Sequence, residues 1–128
     1  MCRRKVFALV LALVVAAIFS GCSKMENNPK FARKILSCVY DGSLRPISKH
    51  LRADLENVLT DSQVAYIGKI LREKYGKPQR VMKGKTTTYE GETVTTYVVE
   101  AQKGSYRMII TIDNRNMIAG LYFPEAEE

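Results

Sequence analysis

Residues 80–123 read RVMKGKTTTYEGETVTTYVVEAQKGSYRMIITIDNRNMIAGLYF. Polar and apolar residues alternate through this stretch and β-branched residues are frequent, which is typical of β-strands. We predict four strands, over residues 81–90, 92–102, 105–113 and 117–123. The short runs of Gly, Asn, Asp, Lys and Glu that separate them are too brief for anything but antiparallel connections. The second half of the chain is therefore predicted to form an antiparallel meander.

Upstream of this stretch, the apolar residues recur at helical spacing instead. Pro29 suits the first turn of a helix, and Gly42 suits the residue that ends it. A short helix is predicted over residues 47–55, and a longer one begins at the capping box Thr60–Gln63. Inside the longer helix, Gly68 predicts a close approach to the sheet, because a helical glycine costs up to about 1 kcal/mol relative to alanine. The expected fold class is α+β, with N-terminal helices packed on a curled four-stranded antiparallel sheet.

The N-terminus has the pattern of a bacterial lipoprotein signal. Arg3-Arg4-Lys5 precedes fourteen apolar residues, Val6 to Phe19, and Ser20-Gly21-Cys22 follows. This pattern predicts removal of residues 1–21 and a lipid anchor, diacylglyceryl and palmitate, on Cys22. Fourteen helical residues reach about 21 Å, whereas a bilayer core is about 30 Å thick, which disfavours a membrane-spanning helix. An ordinary signal peptide, with Ala16 or Ala17 before the cleavage site, is the other alternative.

The mature chain is predicted to have three parts. Residues 22–28 are the lipidated cysteine and a tether, residues 29–124 are a single domain, and residues 125–128 are an acidic tail. A six-residue tether, Ser23 to Asn28, spans at most about 20 Å. The domain is therefore expected outside the cytoplasm and close to the bilayer, on either the plasma membrane or an outer membrane.

The sequence determines the net charge of the mature chain and the disulfide bonds that its cysteines can form. The chain has 20 basic and 13 acidic residues, a net charge of +7. Removal of residues 1–21 leaves 17 basic residues against 13 acidic ones, a net charge of +4. Cys2 is lost with the signal and Cys22 carries the lipid, so Cys38 has no disulfide partner. Because it lies on the apolar stripe of the first helix, we expect a buried, unreactive thiol.

A run of basic residues predicts a cationic surface. Nucleic acid is an unsuitable partner for an exported protein without interleaved aromatic residues, so an anionic lipid or an acidic wall polymer is the better candidate. A solvated basic rim without a specific partner is the simpler alternative. The seven residues are Lys69, Arg72, Lys74, Lys77, Arg80, Lys83 and Lys85.

Three segments together resemble a known bacterial family. They are Asp41-Gly42-Ser43, the helix entry Leu59-Thr60-Asp61-Ser62-Gln63, and the ending Asp113-Asn114-Arg115-Asn116-Met117-Ile118-Ala119-Gly120-Leu121-Tyr122-Phe123. The family is a domain of unknown function with the nuclear-transport-factor-2-like cone fold, found in small lipoproteins and ahead of α/β-hydrolase domains. The resemblance covers residues 29–124. It implies a cone fold, and it supplies no catalytic residues to transfer.

The sequence favours binding over catalysis. No Gly-x-Ser-x-Gly elbow is present, and one histidine with one free thiol is too little for a metal site, so no metal and no cofactor are predicted. Enzymes with cone folds place an acid inside the cone. Glu100 shares its alternation parity with Val94 and Val98, and this parity leaves open whether it points inward or to solvent. The residues proposed to line a ligand pocket are Tyr97, Glu100, Tyr106 and Tyr122.

We therefore predict a non-catalytic domain that binds a small molecule or a partner of unknown identity. Two alternatives remain at this stage. One is an isomerase-like or cyclase-like enzyme that uses an inward acid. The other is a homodimeric interaction module that works through the face of its sheet.

Overall fold

The computed structural model describes residues 28–126, and the predicted signal, Cys22 and most of the tether lie outside them. Four antiparallel strands follow the helices, which confirms the predicted α+β class with a curled sheet. The helical elements are α1 (Pro29–Asp41), a 3₁₀ turn (Arg45–His50), α2 (Ala53–Val58) and α3 (Asp61–Tyr75). The strands are β1 (Pro78–Tyr89), β2 (Glu92–Ala101), β3 (Gly104–Ile112) and β4 (Ile118–Tyr122), and a 3₁₀ turn, Pro124–Ala126, follows them.

The first and third helices begin and end where their sequences predict. The Asn28 side chain accepts a hydrogen bond from the backbone N–H of Phe31 at 2.9 Å, and Thr60 Oγ1 accepts one from Gln63 N–H at 3.2 Å. These caps satisfy backbone donors that have no partner inside the helix. Gly42 ends α1 in the left-handed region, with φ of 75°, and donates to Val39 O at 3.2 Å.

The short helix predicted over residues 47–55 is divided in two. A 3₁₀ turn ends at His50 and α2 begins at Ala53, and the residues between them pair with the sheet instead. Leu51 forms a parallel bridge with Ile118, and Arg52 N–H donates to Ile118 O at 2.9 Å. This backbone hydrogen bond between distant parts of the chain replaces the bond that would continue the helix.

The sheet is a meander in the order β1-β2-β3-β4, and every neighbouring pair is antiparallel. Glu90 and Gly91 form the β1–β2 turn with φ values of 50° and 82°, which two-residue hairpin turns require. β1 starts three residues earlier than predicted, at Pro78, which pairs with Ala101 of β2; proline is tolerated as the first residue of a strand. The β1–β2 register shifts between Lys83 and Thr86.

The core lies between the helices and one face of the sheet. On this inner face Tyr97 and Tyr106 are buried, and so are Val99, Met108 and Ile110. The opposing helical residues are Ala32, Ile35, Val39, Val64 and Leu71. Cys38 is buried in the same cluster, as predicted, and burial raises the pKa of its thiol.

Gly68 is a point of close approach between α3 and α1. A Cβ atom at this position would lie 2.3 Å from Val39 O and 3.3 Å from Tyr40 Cα. The expected close crossing is therefore present, but its partner was predicted wrongly. Gly68 faces the backbone of α1 and not the sheet.

Candidate functional site

The four predicted pocket residues do not meet in one pocket. Tyr97 and Tyr106 lie on the inner face of the sheet, 1% and 2% exposed. Glu100 lies on the outer face, where it is paired with Arg80 across β1 and β2. Tyr122 is opposite Ile109, which also belongs to the outer face. The sequence left two orientations open for Glu100, and the structure has the outward one, so no inward Glu100 faces these tyrosines.

One of the two buried tyrosines, Tyr106, joins a hydrogen-bonded chain with the partly buried Tyr40. The hydroxyl of Tyr40 donates to Gly76 O at 3.0 Å and lies 2.8 Å from the hydroxyl of Tyr106, which must therefore be the donor in that pair. Burial raises the pKa of Tyr106 far above its usual range, and the hydrogen bond to Tyr40 adds to this effect. Burial also raises the pKa of Tyr97, to about 12. Protonated hydroxyls of this kind suit a structural role.

A groove lies between α1 and the first residues of β1, with a volume of about 220 Å³. Its floor is apolar, since Leu36 and Val81 are 2% and 6% exposed. Helix α1 contributes residues spaced three and four apart, which share one side of a helix. The lining residues are Arg33, Leu36, Ser37 and Tyr40 from α1, and Pro78, Gln79, Arg80 and Val81 from β1.

The α1 wall of this α1–β1 groove carries a cation, Arg33, whereas the side chain of Arg80 in β1 is directed to Glu100 on the outer face of the sheet. Arg33 is exposed on α1, and Arg80 is exposed on β1. Arg80 Nε lies 3.9 Å from Glu100 Oε1, and the two side chains are 67% and 45% exposed, so this ion pair is weak. The described residues that line the groove include no carboxylate. The groove therefore has an apolar floor and one exposed cation, Arg33, on its α1 wall.

Tyr40 closes one side of the groove and is held in place from behind. The guanidinium of Arg72 lies over its ring, 5.3 Å from the ring centroid, and donates a hydrogen bond to the Tyr40 carbonyl oxygen. Its hydroxyl is fixed by Tyr106 and Gly76, as described above. A wall with both ends anchored in this way is preorganised, which lowers the entropic cost of binding.

The seven predicted basic residues occupy different environments. Arg72 contacts Tyr40, and Lys74 Nζ donates to Glu125 O at 3.1 Å, so both also serve the packing of α3. Arg80 belongs to the groove. Lys83 and Lys85 flank Gly84 in the irregular part of β1, where the side chains of the strand are exposed. Lys69 and Lys77 are exposed as well. Arg80 borders the groove through its position in β1, and its guanidinium is paired with Glu100 on the outer face of the sheet.

A second polar cluster centres on Arg52, which the sequence analysis did not single out. Its guanidinium lies 2.8 Å from Asp54, 3.2 Å from Glu92 and 3.5 Å from Asp113. Asp113 Oδ1 also accepts hydrogen bonds from the N–H groups of Arg115 and Met117, at 2.9 Å each. These bonds, led by the one from Met117, lower the pKa of Asp113. The cluster ties the β3–β4 turn to α2 and β2.

Within residues 28–126, no three His, Cys, Asp or Glu side chains are grouped so as to hold a metal ion. In the same part of the chain, no helix has both the length and the apolar character needed to cross a bilayer. The sequence and structure matched no protein-family model, no curated protein and no solved structure.

Proposed function

We propose that this protein is a lipid-anchored, extracytoplasmic binding protein whose α1–β1 groove holds a ligand without transforming it. Lipidation at Cys22 on a bacterial plasma or outer membrane is part of the proposal, and the signal pattern of residues 1–22 supports it. The observation that carries the binding function is the groove, which combines buried Leu36 and Val81 with the polar groups of Arg33 and Ser37. Mostly apolar walls with a few polar groups are typical of ligand sites.

The residues of the groove suit binding better than turnover. Ser37 is the one serine or threonine among the described residues that line the groove. A serine hydroxyl is activated as a nucleophile only when a base lies within hydrogen-bond reach. The described lining residues offer arginines, an amide and a tyrosine, which are donors at neutral pH. Glu100, the acid considered for an enzyme, faces the opposite side of the sheet from the buried tyrosines.

We further propose that the curled sheet and its helices form a nuclear-transport-factor-2-like cone. The order of elements supports this, because three helices and a 3₁₀ turn precede the antiparallel meander and cover one face of it. The fold proposal is separate from the binding proposal, since the groove lies between α1 and an edge strand and does not depend on a closed cone.

A screen with the full chain tests the binding function. Thermal unfolding is followed in a nonionic detergent with a panel of carboxylates, phosphates, sugars, peptides and lipids. A ligand of the folded state stabilises it by about 2.7 kcal/mol at a hundredfold excess over the dissociation constant. We expect at least one compound to raise the melting temperature, and we expect mass spectrometry to recover it unchanged.

Two matched variants test whether a stabilising compound binds in the groove. Ser37→Trp fills the groove, and Ser62→Trp places the same side chain at an exposed serine of α3. The effect should disappear in the first variant and persist in the second. No stabilisation by any compound, or equal stabilisation of both variants, would refute the binding function, whereas a chemically altered ligand would establish an enzyme. Separately, Cys22→Ser should abolish incorporation of labelled fatty acid.

A homodimer that uses the outer face of the sheet is the second candidate. Partly exposed apolar side chains lie on that face, among them Val94, Val98 and Ile109. Sedimentation equilibrium distinguishes the two candidates. If the parent protein is a dimer and the Ile109→Lys variant is a monomer, the sheet face is favoured as the working surface. If the parent protein is a monomer at all concentrations, this candidate is removed.

A further inference from the structure

We propose that the domain docks on an anionic bilayer through four basic residues at and beside the start of α1, and that this contact fixes its orientation on the membrane. The residues, here called the α1 basic surface, are Lys30, Arg33, Lys34 and Lys49. A lipid on one cysteine would leave the domain free to turn about its tether, whereas a second contact with the bilayer prevents this. The inference rests on the lipid anchor of the proposed function and not on a ligand in the groove.

Three of these cations lie on the solvent side of α1. Lys30, Arg33 and Lys34 are spaced three and four residues apart, which places them on one side of the helix, and all three are exposed. Residues 29–40 contain no Asp or Glu. The first acid of the helix is Asp41, seven residues after Lys34 and about 10 Å farther along the helix axis. The beginning of α1 therefore carries positive charge without a neighbouring acid of its own.

The 3₁₀ turn brings a fourth cation to the same end of α1. The ring of His50 packs edge-on against the ring of Phe31, with 5.9 Å between the centroids. Burial lowers the pKa of His50, and the charges of Lys49 and Lys34 lower it further, because both ammonium groups lie close enough to act on the imidazole. Lys49 is exposed. Cations from two elements therefore share one surface.

The fold gains no ion pair from the α1 basic surface. None of its four residues is paired with a carboxylate within residues 28–126. Lys30 lies in the first turn of α1, where the positive end of the helix dipole disfavours a cation, and that turn has no acidic residue to offset the charge. Residues that break a local rule of stability are typical of functional sites. An anionic partner would remove the unfavourable interaction.

The position of the surface in the chain favours a bilayer as this partner. Helix α1 begins seven residues after Cys22, the predicted lipid site. The six tether residues extend at most about 20 Å, and Lys30 and Lys34 are separated by only about 6 Å of helix. At about 0.1 M salt, the attraction between charges falls off over roughly 10 Å, so a partner must be held close to the cations. The short tether keeps the bilayer within contact distance, and it brings no soluble anion closer.

Energy transfer measures docking of the full chain, purified from bacterial membranes and placed in nanodiscs whose lipids carry an acceptor dye. A donor dye is attached at Ser48→Cys, beside Lys49, or at Ser105→Cys, and both serines are exposed. Residue 105 lies near the other end of α1, because the hydroxyl of its neighbour Tyr106 is 2.8 Å from that of Tyr40. We expect stronger transfer from residue 48 than from residue 105 in discs of phosphatidylglycerol. The difference should shrink in discs of phosphatidylcholine, and also at about 1 M salt, which screens charge beyond about 3 Å.

Matched triple variants test whether the α1 basic surface makes the contact. One variant replaces three lysines of the surface by glutamine, and the control replaces three exposed lysines elsewhere, so both lose the same net charge. Each cation close to an anionic bilayer strengthens association about fivefold. The first variant should therefore lower the ratio of docked to free domain by up to about a hundredfold, and the control should change it little. Circular dichroism checks that both are folded. The substitutions are Lys30→Gln, Lys34→Gln and Lys49→Gln in the first variant, and Lys69→Gln, Lys77→Gln and Lys83→Gln in the control.

Equal transfer from residues 48 and 105 in anionic discs, or equal loss of docking in the two triple variants, would overturn the proposal. Long-chain polyphosphate in solution is the competing partner. If it binds with the same dependence on lysines while anionic discs leave the domain unoriented, the surface recognises a soluble acidic polymer and membrane docking is refuted.

The intact mass of the purified chain tests the anchor separately. A chain without lipid on Cys22 would refute the anchor of the proposed function. The same energy transfer, measured with anionic vesicles, then tests the α1 basic surface alone. Loss of vesicle binding only in the first triple variant would support the surface, and unchanged binding would overturn it. A groove that binds no compound would refute the binding function and would not alter either result.

Discussion

Replacing Gly68 with alanine should destabilise the domain, although alanine is the better helix former. The new Cβ would lie 2.3 Å from Val39 O, and real Cβ contacts do not fall below 3.0 Å. Helices α1 and α3 must therefore separate by more than half an ångström. Val39 O has little freedom to move, because it accepts the hydrogen bond from Gly42 that ends α1.

The net effect follows from two opposing contributions. Overpacking of this kind costs about 1–3 kcal/mol, and the gain in helix propensity offsets at most about 1 kcal/mol. We expect Gly68→Ala to lose about 1–2 kcal/mol of unfolding free energy, a fall of about 5–15 °C in melting temperature for a domain of this size. Gly68→Leu should lose more.

Urea unfolding of residues 23–128, produced without the signal, measures this loss. Comparing Lys69→Gly with Lys69→Ala gives the propensity difference at an exposed position of the same helix. Subtracting that difference isolates the cost of the close approach. A Gly68→Ala variant as stable as the parent, or more stable, would show that the helices separate freely and that the tight crossing has no energetic consequence.

Three further predictions follow from other buried or hydrogen-bonded groups. Because Cys38 is buried with a raised pKa, a maleimide should modify it slowly in native protein and quickly in denaturant; fast native modification would contradict its burial. Tyr40→Phe should cost about 1–3 kcal/mol, since it leaves the buried Tyr106 hydroxyl unpaired, whereas Tyr106→Phe should cost about 1 kcal/mol. Equal costs in urea unfolding would contradict the donor assignment. The lowered pKa of Asp113 means that its carboxylate stabilises the fold above an ordinary pKa of about 3.9, and that this contribution is lost as the pH falls through the lowered value. Asp113→Asn should therefore flatten the melting temperature against pH below about pH 4, and an unchanged acid slope would contradict this role.

Much of the fold could be predicted because its signals are local. Gly42 and Thr60 mark helix ends through hydrogen bonds within a few residues, and Glu90-Gly91 marks a hairpin in the same way. The break at Leu51 could not be predicted, because its cause is Ile118 in the last strand. The partner of Gly68 could not be identified for the same reason, since a helical pattern does not say which element the helix crosses.

The candidate site was mostly missed. The pocket residues proposed from sequence alternate along strands, and β2 has apolar side chains on both faces, so parity alone could not assign Glu100 to the inside or the outside. The groove joins α1 to the start of β1, and no motif connects segments so far apart. One local signal was present: Arg33, Ser37 and Tyr40 share one side of α1, where two polar residues and a tyrosine border the buried Leu36.

The meander order of the sheet has a consequence for folding kinetics. Each strand pairs with its neighbour in sequence, so every hairpin can form by closing a short loop, and such local contacts favour fast folding. The bridge between Leu51 and Ile118 joins residues far apart in the chain and closes a long loop. It should form after the hairpins, together with the ion pairs of Arg52. Changes at Glu90-Gly91 should then alter mainly the folding rate, and changes at Arg52 mainly the unfolding rate.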